Sequence, residues 1–167
     1  NLIDQIRSEF LIFKKINIFK NKILKVMHIT NFNERFNGRL HYNTGRRINN
    51  GLIRNNHNVL SISDRDVLHN NKRLKDFTGK THLQNKIIET FNNFKPNVMI
   101  LGHADRVSNE TLQILKDKNK DLKISQWFLD PLSKYGPDHL NNKKRILDKI
   151  DFIDSTFLTT EPNSVDF

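Results

Sequence analysis

Five short apolar runs, most of them separated by segments of helical periodicity, constrain this chain more than any other feature. They are residues 23–30 (ILKVMHIT), 58–63 (NVLSIS), 97–102 (NVMILG), 122–128 (LKISQWF) and 152–158 (FIDSTFL). Runs of this length suit strands, and near-continuous apolarity suits burial on both faces of a sheet. Between them the period changes. Residues 44–56 predict a helix with Ile48, Leu52 and Ile53 on one side. Residues 81–95 predict another, with Leu83, Ile87, Phe91 and Phe94 in line and Pro96 as its stop. Ser108 caps a third, running to about Lys120 with Leu112 and Leu115 inward. A turn at Gly136-Pro137 precedes a fourth over 138–150, with Leu140, Leu147 and Ile150 inward. Strands alternating with helices imply right-handed crossovers and a parallel sheet covered on both faces. The expected fold is therefore a Rossmann-like, doubly wound α/β domain of about five strands.

A length of 167 residues suits one such domain, and two full domains would not fit comfortably. The domain is expected over 23–167. Residues 1–22 are expected to form a separate amphipathic helix, with Leu2, Ile3, Ile6, Phe10 and Phe13 at helical spacing. That helix either packs on the domain or lies on an anionic membrane surface. The chain begins without methionine and ends just after a helix-start signal at Ser164, so a fragment is expected.

Charge divides unevenly. Residues 1–60 hold 11 Lys/Arg against 3 Asp/Glu, whereas 61–167 hold 17 against 15. The basic first third favours phosphate-bearing partners. The absence of cysteine excludes disulfides and thiolate metal sites. No apolar run is long enough to span a membrane, and charges interrupt any signal-peptide layout at the start. A cytoplasmic protein is expected, peripheral at the inner membrane face if its first helix lies there.

Parallel α/β sheets bind ligands beyond the carboxyl ends of their strands. The segments there carry Asn31, Asn33, Glu34, Arg35, Gly38, Arg39 and His41, then Asp64, Arg65 and Asp66, then His103, Asp105 and Arg106, then Asp130, and last Thr159, Thr160 and Glu161. The first loop, 31–43, is long for its kind and leads into a helix start, whose free N–H groups favour an anion. Neither G-x-G-x-x-G nor the phosphate loop G-x-x-x-x-G-K-[ST] is present, which argues against ordinary dinucleotide or ATP binding. The acidic pair after strand one that receiver-type domains use is also missing. Asp64, Asp66, Asp105 and Asp130 raise the question of magnesium, but no metal is expected.

The stretch KVMHITNFNERFNGRLHYNTGRRINNGLIRNNHNVLSISDRD, Lys25 to Asp66, resembles the opening of bacterial GT-B glycosyltransferases, closest to the CgeB-like, glycosyltransferase family 1-like set. Asn56-His57-Asn58-Val59 is similar to that set's "GH-x-V" entry to strand two. Lys95-Pro96-Asn97-Val98 is similar to its "K-P-D-V", and QWFLDP (126–131) to its strand-four ending. The resemblance covers about residues 24–160. It implies the N-terminal, acceptor-side half of an enzyme that moves a sugar from a nucleotide-sugar co-substrate to a hydroxyl of a glycan, lipid or protein. No cofactor would be bound. The donor site would sit mainly in a second, C-terminal domain outside this chain, leaving this half alone inactive.

In an inverting enzyme of this kind a base takes the acceptor's proton, and Glu34, His41 and Asp105 are the candidates. Arg35 and Arg39 are suited to a phosphate or anionic acceptor. Gly38 suits a tight turn or a close backbone approach. Asn31, Asn33, His103, Trp127 and Asp130 complete the expected substrate contacts, with Trp127 either stacking on a sugar or belonging to the core. His28 and His57 read as structural. Nucleic acid is the rival partner: the charge and the clusters Lys72/Arg73 and Lys143/Lys144/Arg145 favour it, whereas the lack of an RNA-binding aromatic motif or a helix-turn-helix speaks against it. A non-catalytic binding module is the third reading.

Overall fold

The computed structural model describes residues 22–72, 76–103 and 105–161. The expected helix over 1–22, but for its last residue, and the helix start at Ser164 lie outside them.

Five strands form one all-parallel sheet: β1 (Lys25–Thr30), β2 (Asn58–Ser63), β3 (Val98–Gly102), β4 (Lys123–Phe128) and β5 (Ser155–Leu158), in the order β2-β1-β3-β4-β5. Five of the six β1 residues are buried, whereas the edge strands are far more open. The continuous apolar runs therefore went to the centre of the sheet, as burial on both faces requires. Helices α1 (Thr44–Arg54), α2 (Asp64–Asn70), α3 (Lys80–Phe94), α4 (Asn109–Lys118) and α5 (His139–Leu147) fill the crossovers. With right-handed connections, this order puts α1 on one face and the helices following β2, β3 and β4 on the other. The fold is a Rossmann-like α/β domain.

Local chemistry sets the helix ends. Lys95 turns into the left-handed region (φ 51°), and its N–H donates to the Phe91 carbonyl, one residue before Pro96. Ser108 Oγ accepts from Thr111 N at 3.2 Å, the expected cap of α4. Leu83, Ile87 and Phe91 of α3 and Leu112 and Leu115 of α4 enter the core beside Met27, Met99 and Ile124.

Three expectations need correction. Leu140, Leu147 and Ile150 do not face inward; they are 70 %, 44 % and 46 % exposed. The buried face of α5 is Asn142 and Ile146 instead, because Asn142 Nδ2 donates to the carbonyls of Pro131 and Pro137 and ties the helix to its preceding loop. In α1 the buried residues are Gly45 and Asn49, while Ile53 is 52 % exposed. Gly45 lies so close to β1 that a Cβ there would come within 2.6 Å of the Thr30 methyl. Finally, α2 was expected to be loop. Seven residues with only Val67 and Leu68 apolar give no period to read, although Ser63 and two aspartates in the first turn are a helix-start signal.

Candidate functional site

The order β2-β1-β3 makes the chain leave β1 and β3 in opposite directions, which opens a crevice at their carboxyl ends. The loop 31–43 closes one side of it by bonding to itself and to α2. Asn31 Oδ1 accepts from Asn33 N and from the Arg35 guanidinium, and Asn31 Nδ2 donates to Asn33 Oδ1. Asn33 and Asn37 adopt left-handed backbone on either side of a 3-10 turn, Glu34–Phe36. Asp66 then receives the N–H groups of Glu34 (2.8 Å) and Arg35 (3.3 Å), the Arg35 guanidinium (2.6 Å) and the Ser63 hydroxyl. Burial pushes the Asp66 carboxyl up, but these donors outweigh it and hold the group below its ordinary range.

Asn43 caps α1 by accepting from Arg46 N and donates to the carbonyls of Phe32 and Leu40. Part of the helix N-terminus expected to attract an anion is thus already satisfied. Asn31, Asn33 and Arg35 shape the loop. Gly38 serves a turn, with φ 85° and open space around any added Cβ. Glu34, Arg39 and His41 remain at the surface; Arg39 lies over the Phe36 ring and His41 edge-on to Tyr42.

The other side of the crevice gathers residues from three elements. His103, in left-handed backbone (φ 48°), stacks on Phe128 with ring centroids 4.4 Å apart. Its Nε2 accepts the Leu129 N–H at 3.2 Å. The neutral ring therefore carries its proton on Nδ1, which faces Asp130 Oδ2 at 3.5 Å. Burial lowers the His103 pKa, opposed by the Asp130 charge, so the pair is a neutral imidazole beside a carboxylate. Arg145 approaches the same Asp130 oxygen at 3.9 Å. His103, Asp105, Arg65, Trp127 and Arg145 line one narrow pocket.

This geometry reassigns roles. Asp105 accepts from Arg65 at 3.1 Å and pairs with Arg106 at 3.4 Å, so its oxygens are already engaged. His103 has no free lone pair to offer, and its part is to orient Asp130. Asp130 is a carboxylate 45 % exposed beside two residues of that pocket's lining, His103 and Arg145, and it is the more open acceptor for a proton. Trp127 is 8 % exposed and donates its N–H to His28, so most of the ring is core and only part of it reaches the pocket lining. His28 and His57 are structural, as expected: His28 bonds to Asn49 and Trp127, and His57 Nδ1 accepts from Leu24 N.

Among the described residues no group of three or more His, Asp or Glu is arranged to hold a metal ion. The four aspartates raised by the sequence are engaged by basic side chains and backbone amides, Asp64 and Asp105 both by Arg65. Lys149, buried with its Nζ on Asn109 and Asp148, also lines the pocket, and nothing in its local sequence announced it. Arg65 and Arg106 stand past the ends of β2 and β3, where the sequence had located them without a role.

No family model, curated protein or solved structure matches this chain. Among the described residues no helix is long and apolar enough to cross a membrane.

Proposed function

We propose that this domain is the acceptor-binding half of a glycosyltransferase that uses a nucleotide-sugar donor. The observation that carries the reading is Asp130, an open carboxylate facing neutral His103, which itself lines a polar pocket on the carboxyl edge of the sheet. A carboxylate so placed can take the proton of an acceptor hydroxyl as that hydroxyl attacks the anomeric carbon. The nearby Arg145 and Arg65 would hold the acceptor's polar groups. The resemblance of residues 24–160 to GT-B acceptor domains supports the same assignment.

Trp127 is the sole tryptophan and lines that pocket, so its fluorescence reports occupancy. A panel of neutral and phosphorylated saccharides titrated into the protein is expected to contain at least one that shifts Trp127 emission, with the response lost in Asp130→Asn. If no saccharide moves the signal, or if Asp130→Asn responds as the parent does, the reading fails.

A further inference from the structure

A second concavity adjoins the crevice, on the side away from β4. It is a groove of about 590 Å³ between α2, the start of α3 and the loops after β1 and β3. Its lining includes Arg35, Arg65, Lys72, Lys80 and Arg106, and no carboxylate among the described residues. These five cations come from four separate segments and converge on one space. Three of them are partly compensated from behind: Arg35 by Asp66, and Arg65 and Arg106 by their shared Asp105. Lys72 and Lys80 pair with no acid among the described residues. Five cations line the groove against the two carboxylates that pair with them, Asp66 and Asp105, an excess of positive charge that the nearby Asp64 and Asp76 reduce without cancelling. Phe77, at its rim, is 74 % exposed.

Like charges crowded into one concavity repel, and that cost is recovered only when an anion occupies it. Guanidinium forks fixed by carboxylates behind them present their remaining N–H groups in a set direction, which suits phosphate oxygens. The two unpaired lysines add mobile point charges. Phe77 supplies an apolar face against which a ring attached to the phosphate can lie. The volume fits a small organic phosphate. A nucleic-acid track would instead need cations strung along an extended face.

We infer that this groove binds the phosphate or diphosphate group of a small ligand, so that the acceptor is a phosphorylated molecule rather than a neutral glycan. The assignment to the acceptor rests on the glycosyltransferase reading; the phosphate site itself does not.

The test uses inorganic pyrophosphate and glucose 1-phosphate, titrated into the protein by calorimetry and followed by amide NMR. Pyrophosphate should bind, with the largest shifts around Lys72, Phe77, Lys80 and Arg106. Lys72→Glu/Lys80→Glu should weaken it at least ten-fold, while Lys118→Glu, at the far end of α4, leaves it unchanged. Phe77→Ala should weaken glucose 1-phosphate several-fold and spare pyrophosphate. The inference is overturned if pyrophosphate does not bind at millimolar concentration, or if the double lysine variant binds it as well as the parent. It is equally overturned if only an oligonucleotide, or only vesicles of anionic lipid, engage these residues. Pyrophosphate binding without any saccharide response at Trp127 would keep the phosphate site and remove the acceptor reading.

Discussion

The indole N–H of Trp127 on β4 donates to Nε2 of His28 on β1 at 3.3 Å, although β3 lies between the two strands. The bond exists because β3 offers no side chain at the crossing. Gly102 is registered with both Thr30 and Trp127, and a Cβ on it would overlap the indole ring. His28 completes its bonding through Nδ1 to Asn49 of α1, which also receives the Ser61 hydroxyl of β2. One polar chain, buried from Trp127 to Asn49 and open at Ser61, thus ties α1 to three strands of the sheet.

Gly102→Ala is expected to destabilise the domain by about 3 kcal/mol, since the Trp127 ring must move and lose its partner. Urea denaturation of the two proteins measures this; a loss under about 0.5 kcal/mol would mean that the indole shifts freely.

Burial lowers the His28 pKa to about 4, only partly opposed by its bond to Asn49. Between the ordinary value of 6.5 and 4 the unfolded chain binds a proton that the folded chain refuses. Stability from this residue is complete above pH 6.5 and falls as pH drops towards 4, by about 3 kcal/mol in all. A His28→Gln variant should lose this acid sensitivity, as read from denaturation midpoints between neutral pH and pH 4.

Asp64 acts in the opposite sense. It is fully buried, Oδ1 accepts from Arg65 N, and burial pushes its pKa up to about 6. The folded state then holds a proton that the unfolded state has released, so stability declines as pH rises from 3.8 to 6. Relative to the parent, Asp64→Asn should gain about 3 kcal/mol between pH 4 and 7.5. A constant difference across that range would remove the buried-carboxyl account.

Asp66 fastens the loop 31–43 to α2 through the amides of Glu34 and Arg35 and the Arg35 side chain. Asp66→Ala leaves those donors without an acceptor, at a cost of about 3 kcal/mol. Hydrogen exchange at the Glu34 and Arg35 amides should accelerate far more than at β1, and uniform acceleration would point to global destabilisation instead.

Asp105 restrains two of the groove's arginines. Asp105→Asn should therefore tighten pyrophosphate binding by about three-fold, because a negative charge beside the anion has gone. Weaker binding would show that Asp105 matters by positioning Arg65 and Arg106 rather than by its charge.

Much of the architecture was legible because it is written in short-range patterns. The apolar runs, the Pro96 stop and the Ser108 cap are all local signals, and they gave elements close to the observed bounds except at β5, where Phe152 of the expected strand belongs to a 3-10 turn, Ile150–Phe152, and pairing starts at Ser155. The helix faces were less legible where a polar side chain took the inward position. Asn49 is buried because it finds partners on β1 and β2, and Asn142 because it bonds the loop before its helix, and hydrophobic period carries no trace of either. The candidate site followed the same division. Its location beyond the strand ends follows from parallel α/β order, and His103, Asp105 and Asp130 were marked there. That Asp105 is engaged by two arginines while Asp130 stays open could not be seen along the chain.

The sequence by itself determined the order of strands and helices, and with it a parallel sheet whose ligand edge must hold the loops after β1, β3 and β4. Tertiary structure alone decided which of those side chains stay free. Trp127 reached His28 across 99 residues of chain, and Arg65 reached Asp105 across 40. Such pairings depend on strand register, on the missing side chain at Gly102 and on competition among nearby donors for each carboxylate. Those are distances in space, and local periodicity reports only neighbours along the chain.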